Sequence, residues 1–406
     1  MSTTIAFKKK IPHLIKPIDK GDIRNKMPDF VSYLQVEMFE YHEASVLPNA
    51  DAASIIGGRF GMEDTYKIAK LSNSTEFYGV FDGHGGWEIS ALLKDVLAKK
   101  FEDLLQSNKT FDYTNVSVVT ELIRTVCLDL GKEIFELINC RTIGSTAVFA
   151  LRFGQYLYLV NIGDSTGVVI DNQGNLLIKT KNHKPDDKDE KNRIEKHGAK
   201  VSNGRVNGQL AVSRSFGDNY YNSKHQKMYS GFETVVTHEP DIYSFVIPPE
   251  PENCYLILGS DGLWDNCLFE NIILGETINT NKFTFKQLAD IVISKSPRQA
   301  SLEIVELAYH SGVGDNITAV VVALTDNYIS AEPPGSNNVE SNDVESDDVE
   351  LESTQPIDVE SSITVEMEPE HSEPIDIKLD SEWVRIKQEY AQPINANPVF
   401  INPPKN

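Results

Sequence analysis

Apolar positions along the chain follow two spacings, and the shorter one predicts β-strands. Short apolar or alternating runs are bounded by glycine, asparagine and aspartate, which is typical of strands joined by turns. Gly154 marks one tight hairpin, and residues 171–174 mark another turn. The predicted strands are 53–57, 65–69, 76–82, 145–153, 155–162, 166–170, 176–179, 210–213, 241–247, 254–259 and 316–324.

The longer spacing predicts amphipathic helices. Apolar residues recur every three or four positions in residues 87–105 and 118–138, and again in 284–295 and 298–310. Residues 187–197 predict a short charged helix. Successive strands are joined by tight turns, and the helices come in pairs without strand–helix–strand alternation. We therefore predict an α+β fold of antiparallel sheet layers with helices outside.

Composition divides the chain into three parts. Residues 1–53 contain several prolines and predict an N-terminal extension, whereas 54–325 form the predicted folded domain. Residues 326–406 are acidic and rich in serine and proline, so we predict a mostly disordered tail that cannot offset its chain entropy by burial. Of the formal charge of −22, residues 331–382 carry −16. We expect the acidic tail either to mimic a phosphorylated segment and occupy the functional site of the folded domain, or to repel acidic substrates.

Several classes of function are disfavoured by composition. The sequence contains no cluster of basic residues of the kind that would indicate nucleic acid as the main ligand. The four cysteines lack paired spacing, which favours a reducing compartment, and no stretch resembles a signal peptide or membrane span. We expect an intracellular monomer in the cytoplasm, the nucleus or both. The lysines at 8–10 are most simply explained as part of a solvated N-terminal segment. A role in targeting, or in contact with an anionic surface, is the alternative.

One stretch, residues 77–86, is the centre of the candidate chemistry. An apolar run stops at Asp82, and Gly83 and His84 follow in a glycine-rich loop. Glycine lets backbone groups approach a ligand closely. Carboxylate, carbonyl and imidazole groups in this order are suited to a hard-metal site. A glycine-rich turn with a surface histidine is the alternative interpretation.

Carboxylates also stand at the ends of other apolar strands. Glu63 and Asp64 precede a predicted strand, Asp261 follows one, and Asp315 precedes the last. If these ends converge with Asp82, their charges repel one another unless a cation neutralises them. Oxygen ligands alone favour Mg²⁺ or Mn²⁺ over zinc. Each aspartate taken singly is also compatible with a turn former.

The ordered set of segments resembles the metal-dependent type 2C protein serine/threonine phosphatases. The resemblance covers roughly residues 53–325 and implies a four-layer α/β/β/α sandwich of two antiparallel sheets flanked by helix pairs. It also implies a two-metal site at one end of the sandwich. The segments are 59–64, 81–86, 144–147, 161–165, 183–185, 190–194, 205–214, 260–265 and 314–318.

The resemblance assigns a role to each candidate residue. It implies that Asp82 bridges two Mg²⁺ or Mn²⁺ ions, that Asp261 and Asp315 complete one site, and that Glu63 and the Gly83 carbonyl serve the other. A metal-bridged hydroxide would attack phosphorus in line without a phosphoenzyme. Arg59 would hold the phosphate oxygens, and His84 would protonate the leaving oxygen. Residues interpreted as structural are Ser145, Asn161, Asp164, Arg193 and Arg214.

Two positions depart from the family pattern. Asn182 stands where the family usually has aspartate before His-Lys-Pro, so a third metal site, shared in the family with the positions of Asp261 and Asp265, should bind poorly. Thr166 stands where arginine or lysine is frequent. Residues 217–238 match a variable flap that can shape substrate choice or simply pack down.

The expected function is hydrolysis of phosphoserine and phosphothreonine in protein substrates by a Mg²⁺- or Mn²⁺-dependent phosphatase. The alternative is a pseudophosphatase scaffold that binds partners through its fold and acidic tail. Such scaffolds typically lose metal carboxylates, whereas this chain retains them together with Arg59 and His84.

Overall fold

The structure, a computed structural model, describes residues 47–72, 75–107, 111–137, 142–223, 234–249, 253–269 and 282–324. The predicted tail, most of the predicted N-terminal extension and part of the predicted flap lie outside these residues, as does Cys140. Cys127, Cys254 and Cys267 are buried, and the described residues form no disulfide with them. Within the described ranges, no helix combines the length and apolarity that crossing a bilayer requires.

Short strands and longer helices alternate in groups along the described chain. The helices are α1 (Glu88–Ser107), α2 (Val116–Leu137), α3 (Lys188–Lys196), α4 (Asn219–Ser223), α5 (Asp261–Trp264), α6 (Phe285–Ser294) and α7 (Pro297–His310). The strands are β1 (Ala50–Ile55), β2 (Thr65–Lys70), β3 (Thr75–Phe81), β4 (Gly83–His84), β5 (Gly144–Ser145), β6 (Ala147–Phe153), β7 (Tyr156–Ile162), β8 (Thr166–Asp171), β9 (Leu176–Lys179), β10 (Val201–Ser202), β11 (Arg205–Val206), β12 (Phe216–Gly217), β13 (Asp241–Val246), β14 (Cys254–Gly259), β15 (Cys267–Leu268), β16 (Phe283–Thr284) and β17 (Ile317–Ala323).

Local sequence signals explain where several helices begin. Before α6, the Thr284 side chain accepts a hydrogen bond from Gln287 N while the Gln287 side chain accepts one from Thr284 N. This reciprocal capping box satisfies backbone donors that the first helical turn cannot pair. Before α7, the Ser296 side chain accepts a hydrogen bond from Gln299 N, and Pro297 occupies the first turn, where its missing N–H costs nothing.

Two five-stranded antiparallel sheets form the body of the fold. Sheet I has the order β1-β17-β14-β8-β9, and sheet II has the order β13-β7-β6-β3-β2. Between them, alternate side chains of β3 (Tyr78 and Val80) share one buried cluster with Leu256 and Leu258 of β14. Every second side chain along these strands therefore points into the space between the two sheets and fills it.

Helices cover the outer faces of both sheets. Ile257 of β14 faces away from sheet II and packs with buried residues of α6 and α7. Phe101 of α1 packs on Phe77 and Phe149 of sheet II, with ring centroids 6.2 and 5.9 Å apart. Antiparallel sheets with helices packed on them confirm the predicted α+β class. The complete four-layer order stays a prediction.

Three strand predictions need correction. Strand β1 begins at Ala50 rather than at 53, because Asp51 interrupts the apolar run and alanine is a weak strand signal. Residues 210–213 form no strand: Leu210 and Val212 are buried in a separate cluster, so their apolarity reflects packing rather than a ladder. The run 145–153 divides into β5 and β6, since β5 belongs to a small sheet of order β12-β5-β4.

Candidate active site

Two carboxylates are brought together by the register of sheet II. Thr65 of β2 pairs with Phe81 of β3, so Asp64 and Asp82 lie side by side just beyond the pair. Asp82 is held in place because Thr146 N donates a hydrogen bond to its carbonyl oxygen at 2.9 Å. This edge of sheet II therefore presents two adjacent acids.

Two more carboxylates reach the same edge from sheet I. Gly259 of β14 pairs with Ala319 of β17, so Asp261 follows one strand where Asp315 precedes the other. Gly262 is required there, since a β-carbon at this position would overlap the carbonyl oxygen of Asn316. The close approach of the two loops sets Asp261 beside Asp315.

The four aspartates act on one another electrostatically, as the strand-end pattern predicted. Desolvation, followed by repulsion from Asp64, Asp261, Asp164 and Asp315, raises the pKa of Asp82 well above its usual range. For the same reasons, burial first and neighbouring carboxylates second, the pKa of Asp261 rises to about 8. These groups cannot all be ionised without a compensating positive charge.

Asp64 shows most directly that positive charge is needed. Its side chain is 4% exposed, and neither carboxylate oxygen has a hydrogen-bond partner among the described residues. Burial raises its pKa to about 6, although Thr318 and Ser260 lie close enough to favour the charged form. A buried carboxylate without a partner costs several kcal/mol unless a cation or a proton compensates it.

Glu63, Gly83 and the start of α1 form the second side of the site. Gly83 N and Ser90 Oγ both donate to Glu63 O, at 3.2 and 2.5 Å. A β-carbon at Gly83 would overlap that same oxygen. Burial raises the pKa of Glu63, while Arg59, His84 and a hydrogen bond from Gly86 N act in the opposite direction.

Side-chain cations supply part of the compensating charge in this structure. Arg59 Nη2 donates to Asp315 Oδ2 at 2.5 Å, and the Arg59 side chain is 53% exposed. Lys184 Nζ pairs with Asp164, whose carboxylate is almost completely buried. In the part of the chain that the structure describes, no group of three or more His, Cys, Asp or Glu side chains is already arranged to hold a metal ion.

The donor set nevertheless fits hard divalent cations. Every group at the centre is a carboxylate or a backbone carbonyl, which Mg²⁺ and Mn²⁺ prefer. Negative charge exceeds positive charge in this region. The carboxylate oxygens of Asp64 have no hydrogen-bond partner among the described residues, and the pKa of Asp82 is raised. A divalent cation would remove that excess.

The third site predicted to be weak has a visible reason for weakness. Thr166 Oγ1 donates a hydrogen bond to Asn182 Oδ1 at 2.7 Å. The two departures from the family pattern thus contact each other as a neutral pair. The amide oxygen of Asn182 is engaged and uncharged, so it adds no negative charge to that of Asp261 and Asp265.

His84 has a partner that the sequence did not indicate. Its Nε2 lies 2.7 Å from Oδ2 of Asp218, which is fully buried. Burial lowers the pKa of His84, but the Asp218 carboxylate outweighs this effect and leaves the pKa above its ordinary value. Asp218 lies within the predicted flap, and 134 residues separate it from His84, so no spacing in the sequence links the two.

A buried ion network is centred on Glu190 of α3. Glu190 Oε1 accepts from Arg214 Nη2 at 2.8 Å, and Glu190 Oε2 accepts from Arg193 Nη2 and Ser213 Oγ at 2.9 and 2.5 Å. Arg214 Nη1 also donates to Asp241 Oδ1 at 2.9 Å. These contacts join α3 to the start of β13 and agree with the structural interpretation of both arginines.

The metal-free protein should lose stability as the pH rises from about 6.5 to about 8. The folded-state pKa values of Asp82, Asp261 and His84 all lie above their unfolded values. The protonated forms of these groups therefore stabilise the fold fully at a pH below their unfolded-state pKa values. This stabilisation is lost as the pH rises through their folded-state pKa values. The pKa of His238 is lowered from 6.5 to about 4, so its opposite contribution to stability levels off once the pH passes 6.5, where this window begins.

Thermal unfolding in EDTA measures this effect. The midpoint should fall across the window in the parent protein, fall less in Asp261→Asn, and recover when Mg²⁺ is added because binding to the folded state stabilises it. A midpoint in EDTA that stays constant or rises over the window would contradict the electrostatic description of the site.

Comparisons with known proteins agree with this geometry. The family model described as Protein phosphatase 2C matches residues 51–317. "Probable protein phosphatase 2C 52" of Oryza sativa subsp. japonica is 33% identical over 276 residues, covering 66% of this chain and 49% of that relative. "Protein phosphatase 1L" of Bos taurus is 32% identical over 283 residues, covering 68% of this chain and 72% of that relative.

A solved structure shares the fold. The crystal structure of a phosphatase from Toxoplasma gondii superimposes with a TM-score of 0.53 at 23% identity, covering 68% of this chain and 92% of that chain. The matched region thus accounts for nearly the whole of that protein. It spans only about half the length of the rice relative, at 49%.

Proposed function

The chain belongs to the protein phosphatase 2C family, and from this premise we propose that it hydrolyses phosphoserine and phosphothreonine in proteins with Mg²⁺ or Mn²⁺. The observation that carries the proposal is the carboxylate cluster around Asp82, in which mutual repulsion raises the pKa of the central acid. A group of acids that repel one another is suited to binding cations and poorly suited to a purely structural role.

The residues proposed to hold two cations are those at the converging edge. Asp82 would be shared, Asp261 and Asp315 would serve one ion, and Glu63 with the Gly83 carbonyl would serve the other. When bound, the ions would supply charge neutralisation and a water acidic enough to attack phosphorus. Asp64, buried behind Asp82, would add negative charge that strengthens the binding of both.

Arg59 is proposed to bind the phosphate group of the substrate. Its guanidinium is half exposed at the mouth of the cluster and already contacts a carboxylate, Asp315. The planar fork of arginine matches phosphate oxygens as well as carboxylate oxygens. Arg59 can therefore exchange one oxyanion for the other when substrate arrives.

His84 is proposed to donate a proton to the leaving oxygen of serine or threonine. An alkoxide is a poor leaving group, so proton donation at this oxygen accelerates the departure. The neighbouring carboxylate of Asp218 keeps the pKa of His84 above its ordinary value, which favours the protonated ring at neutral pH. The side chain is 26% exposed, so substrate can reach it.

Nothing in the site favours the pseudophosphatase scaffold. Glu63, Asp82, Asp261 and Asp315 are all present and lie at one edge, with Arg59 and His84 beside them. A scaffold would have no use for this concentration of repelling charge.

Phosphate release from a phosphothreonine peptide tests the proposal. The full chain should release phosphate in Mn²⁺ or Mg²⁺, and EDTA should abolish release because the cluster then lacks its cations. Re-addition of Mn²⁺ after EDTA should restore the rate. Equal rates with and without EDTA, or no release with either metal, would overturn the proposed function.

A further inference from the structure

A three-stranded sheet of two-residue strands aligns His84 with a distant segment. Within the order β12-β5-β4, His84 of β4 pairs with Gly144 of β5, and Gly144 pairs with Gly217 of β12. Asp218 follows Gly217 directly, and Asp218 N donates to Ile143 O at 3.0 Å. Backbone pairing thus fixes Asp218 opposite His84 across the middle strand.

The middle strand leaves space for the two side chains to meet. A β-carbon at Gly144 would overlap both Asp218 Oδ2 and His84 Nε2. The contact between the carboxylate and the imidazole therefore passes directly over a residue without a side chain. This explains in physical terms why glycine stands at position 144.

The backbone of Asp218 is also adapted to this contact. Its φ of +53° lies in the left-handed region, which residues other than glycine adopt infrequently, although aspartate tolerates it better than most. The conformation directs the side chain back over Gly144 to His84. Such a backbone, at a residue with no exposed surface, is typical of positions that hold a functional group in place.

The hydrogen bonds at Asp218 specify which nitrogen of His84 carries a proton. Oδ2 accepts from Ser215 Oγ at 2.6 Å and lies 2.7 Å from His84 Nε2. Oδ2 already acts as an acceptor towards Ser215, so its contact with His84 favours Nε2 as the donor. In the neutral ring the proton therefore stays on Nε2, and Nδ1 carries the lone pair.

We propose that Asp218 is a positioning residue that keeps the proton of His84 on Nε2 and thereby makes Nδ1 the atom that serves the leaving oxygen. The proposal rests on the proposed phosphatase activity. As the bond from phosphorus to the serine or threonine oxygen breaks, its electron pair goes to that oxygen, which takes the proton from Nδ1 of the charged ring. The attacking water oxygen forms the new bond to phosphorus, and the protons of the water leave with the phosphate product. His84 is left neutral with Nε2–H still bonded to Asp218, and Nδ1 takes up a proton from solvent before the next turnover.

The dependence of rate on the leaving group tests the catalytic part. Asp218→Asn can present an amide N–H to Nε2 and so favour the other tautomer. We expect kcat for a phosphothreonine peptide to fall about 100-fold, the scale of lost general acid catalysis. For p-nitrophenyl phosphate the loss should be about threefold or less, because nitrophenolate departs without a proton.

A second histidine–carboxylate pair, with a buried histidine and a partly exposed carboxylate, provides the matched control. His183 Nε2 lies 3.1 Å from Asp241 Oδ2, and neither residue is proposed to contact the cations or the substrate. Asp241→Asn removes a comparable charge from the fold, so any loss of rate should be by the same factor for both substrates. Equal losses for both substrates in Asp218→Asn as well would overturn the proposal.

Nitrogen-15 spectra of histidine-labelled, Mg²⁺-saturated protein test the positioning directly, with the His84 signals assigned by their absence in His84→Gln. When the ring is neutral, the parent protein should show the proton on Nε2, and Asp218→Asn should shift it towards Nδ1. A parent signal with the proton on Nδ1 would overturn the proposal even if Asp218→Asn does not fold. If the parent releases no phosphate from the peptide, the phosphatase assignment fails, and the spectra still decide the role of Asp218.

Discussion

Asp82→Asn should lower kcat for a phosphothreonine peptide by about 1,000-fold in saturating Mn²⁺, which corresponds to ~4 kcal/mol of lost transition-state stabilisation. Asp82 lies at the centre of the cluster, where Asp64, Asp164, Asp261 and Asp315 all act on its carboxylate. Removing its charge removes the ligand proposed to be shared by both cations, so neither should be held in place for the reaction.

The same substitution should have the opposite effect on the stability of the metal-free protein. Repulsion and desolvation at Asp82 oppose folding when no cation is present, and a neutral amide relieves both. The unfolding midpoint of Asp82→Asn in EDTA should therefore exceed that of the parent. Asp290→Asn, an exposed change on α6, should alter neither activity nor stability measurably. Parental activity in Asp82→Asn would exclude its role as a shared ligand.

Arg214→Met should destabilise the protein by about 2–3 kcal/mol, because it removes charged hydrogen bonds while Glu190 keeps Arg193 and Asp241 stays partly exposed. Arg214 is 16% exposed and joins Glu190 to Asp241. Burial opposes ionisation of Glu190, and the hydrogen bond from Arg214 is the largest effect that keeps its pKa low. Without Arg214, Glu190 retains Arg193 as its ionic partner, but Asp241 loses its arginine.

Urea denaturation in Mg²⁺ measures this loss. The midpoint should fall while the slope stays unchanged, as expected for a pure change in stability. Lys286→Met removes an exposed pair with Asp290 and should change the free energy of unfolding by less than about 1 kcal/mol. An Arg214→Met protein within about 1 kcal/mol of the parent would show that the network contributes little.

Much of the site could be predicted from the sequence because strand ends are visible as abrupt changes from apolar to acidic residues. Asp82 and Asp261 end apolar runs, and Asp315 starts one. In antiparallel sheets the end of one strand lies beside the start of its neighbour, so these acids meet at one edge. The resemblance to a known family then supplied roles that spacing alone left open between turn formers and metal ligands.

The partner of His84 could not be predicted in the same way. Asp218 reaches His84 through strands of two residues, which have no hydrophobic period to read. Nothing near position 218 in sequence marks it as different from a turn aspartate. Gly144 belongs to one of the segments that resemble the family. The need for glycine there follows only from the three-dimensional structure, in which the Asp218 and His84 side chains meet directly above it.

Asp164 shows a related limit. It was interpreted as structural, and its pairing with Lys184 supports that interpretation. Yet its buried carboxylate also adds to the repulsion at Asp82 and Asp261. Whether a charge is structural or part of a site depends on distances between loops, which a linear pattern does not contain.

Anomalous diffraction at the manganese edge, from crystals of the full chain grown in Mn²⁺, tests the binding of cations by the carboxylate cluster most directly. We expect two manganese peaks that share Asp82 as a ligand, with Asp261 and Asp315 on one of them, and loss of both peaks in Asp82→Asn. Crystals in saturating Mn²⁺ with no peak in bonding contact with Asp82 would contradict this expectation.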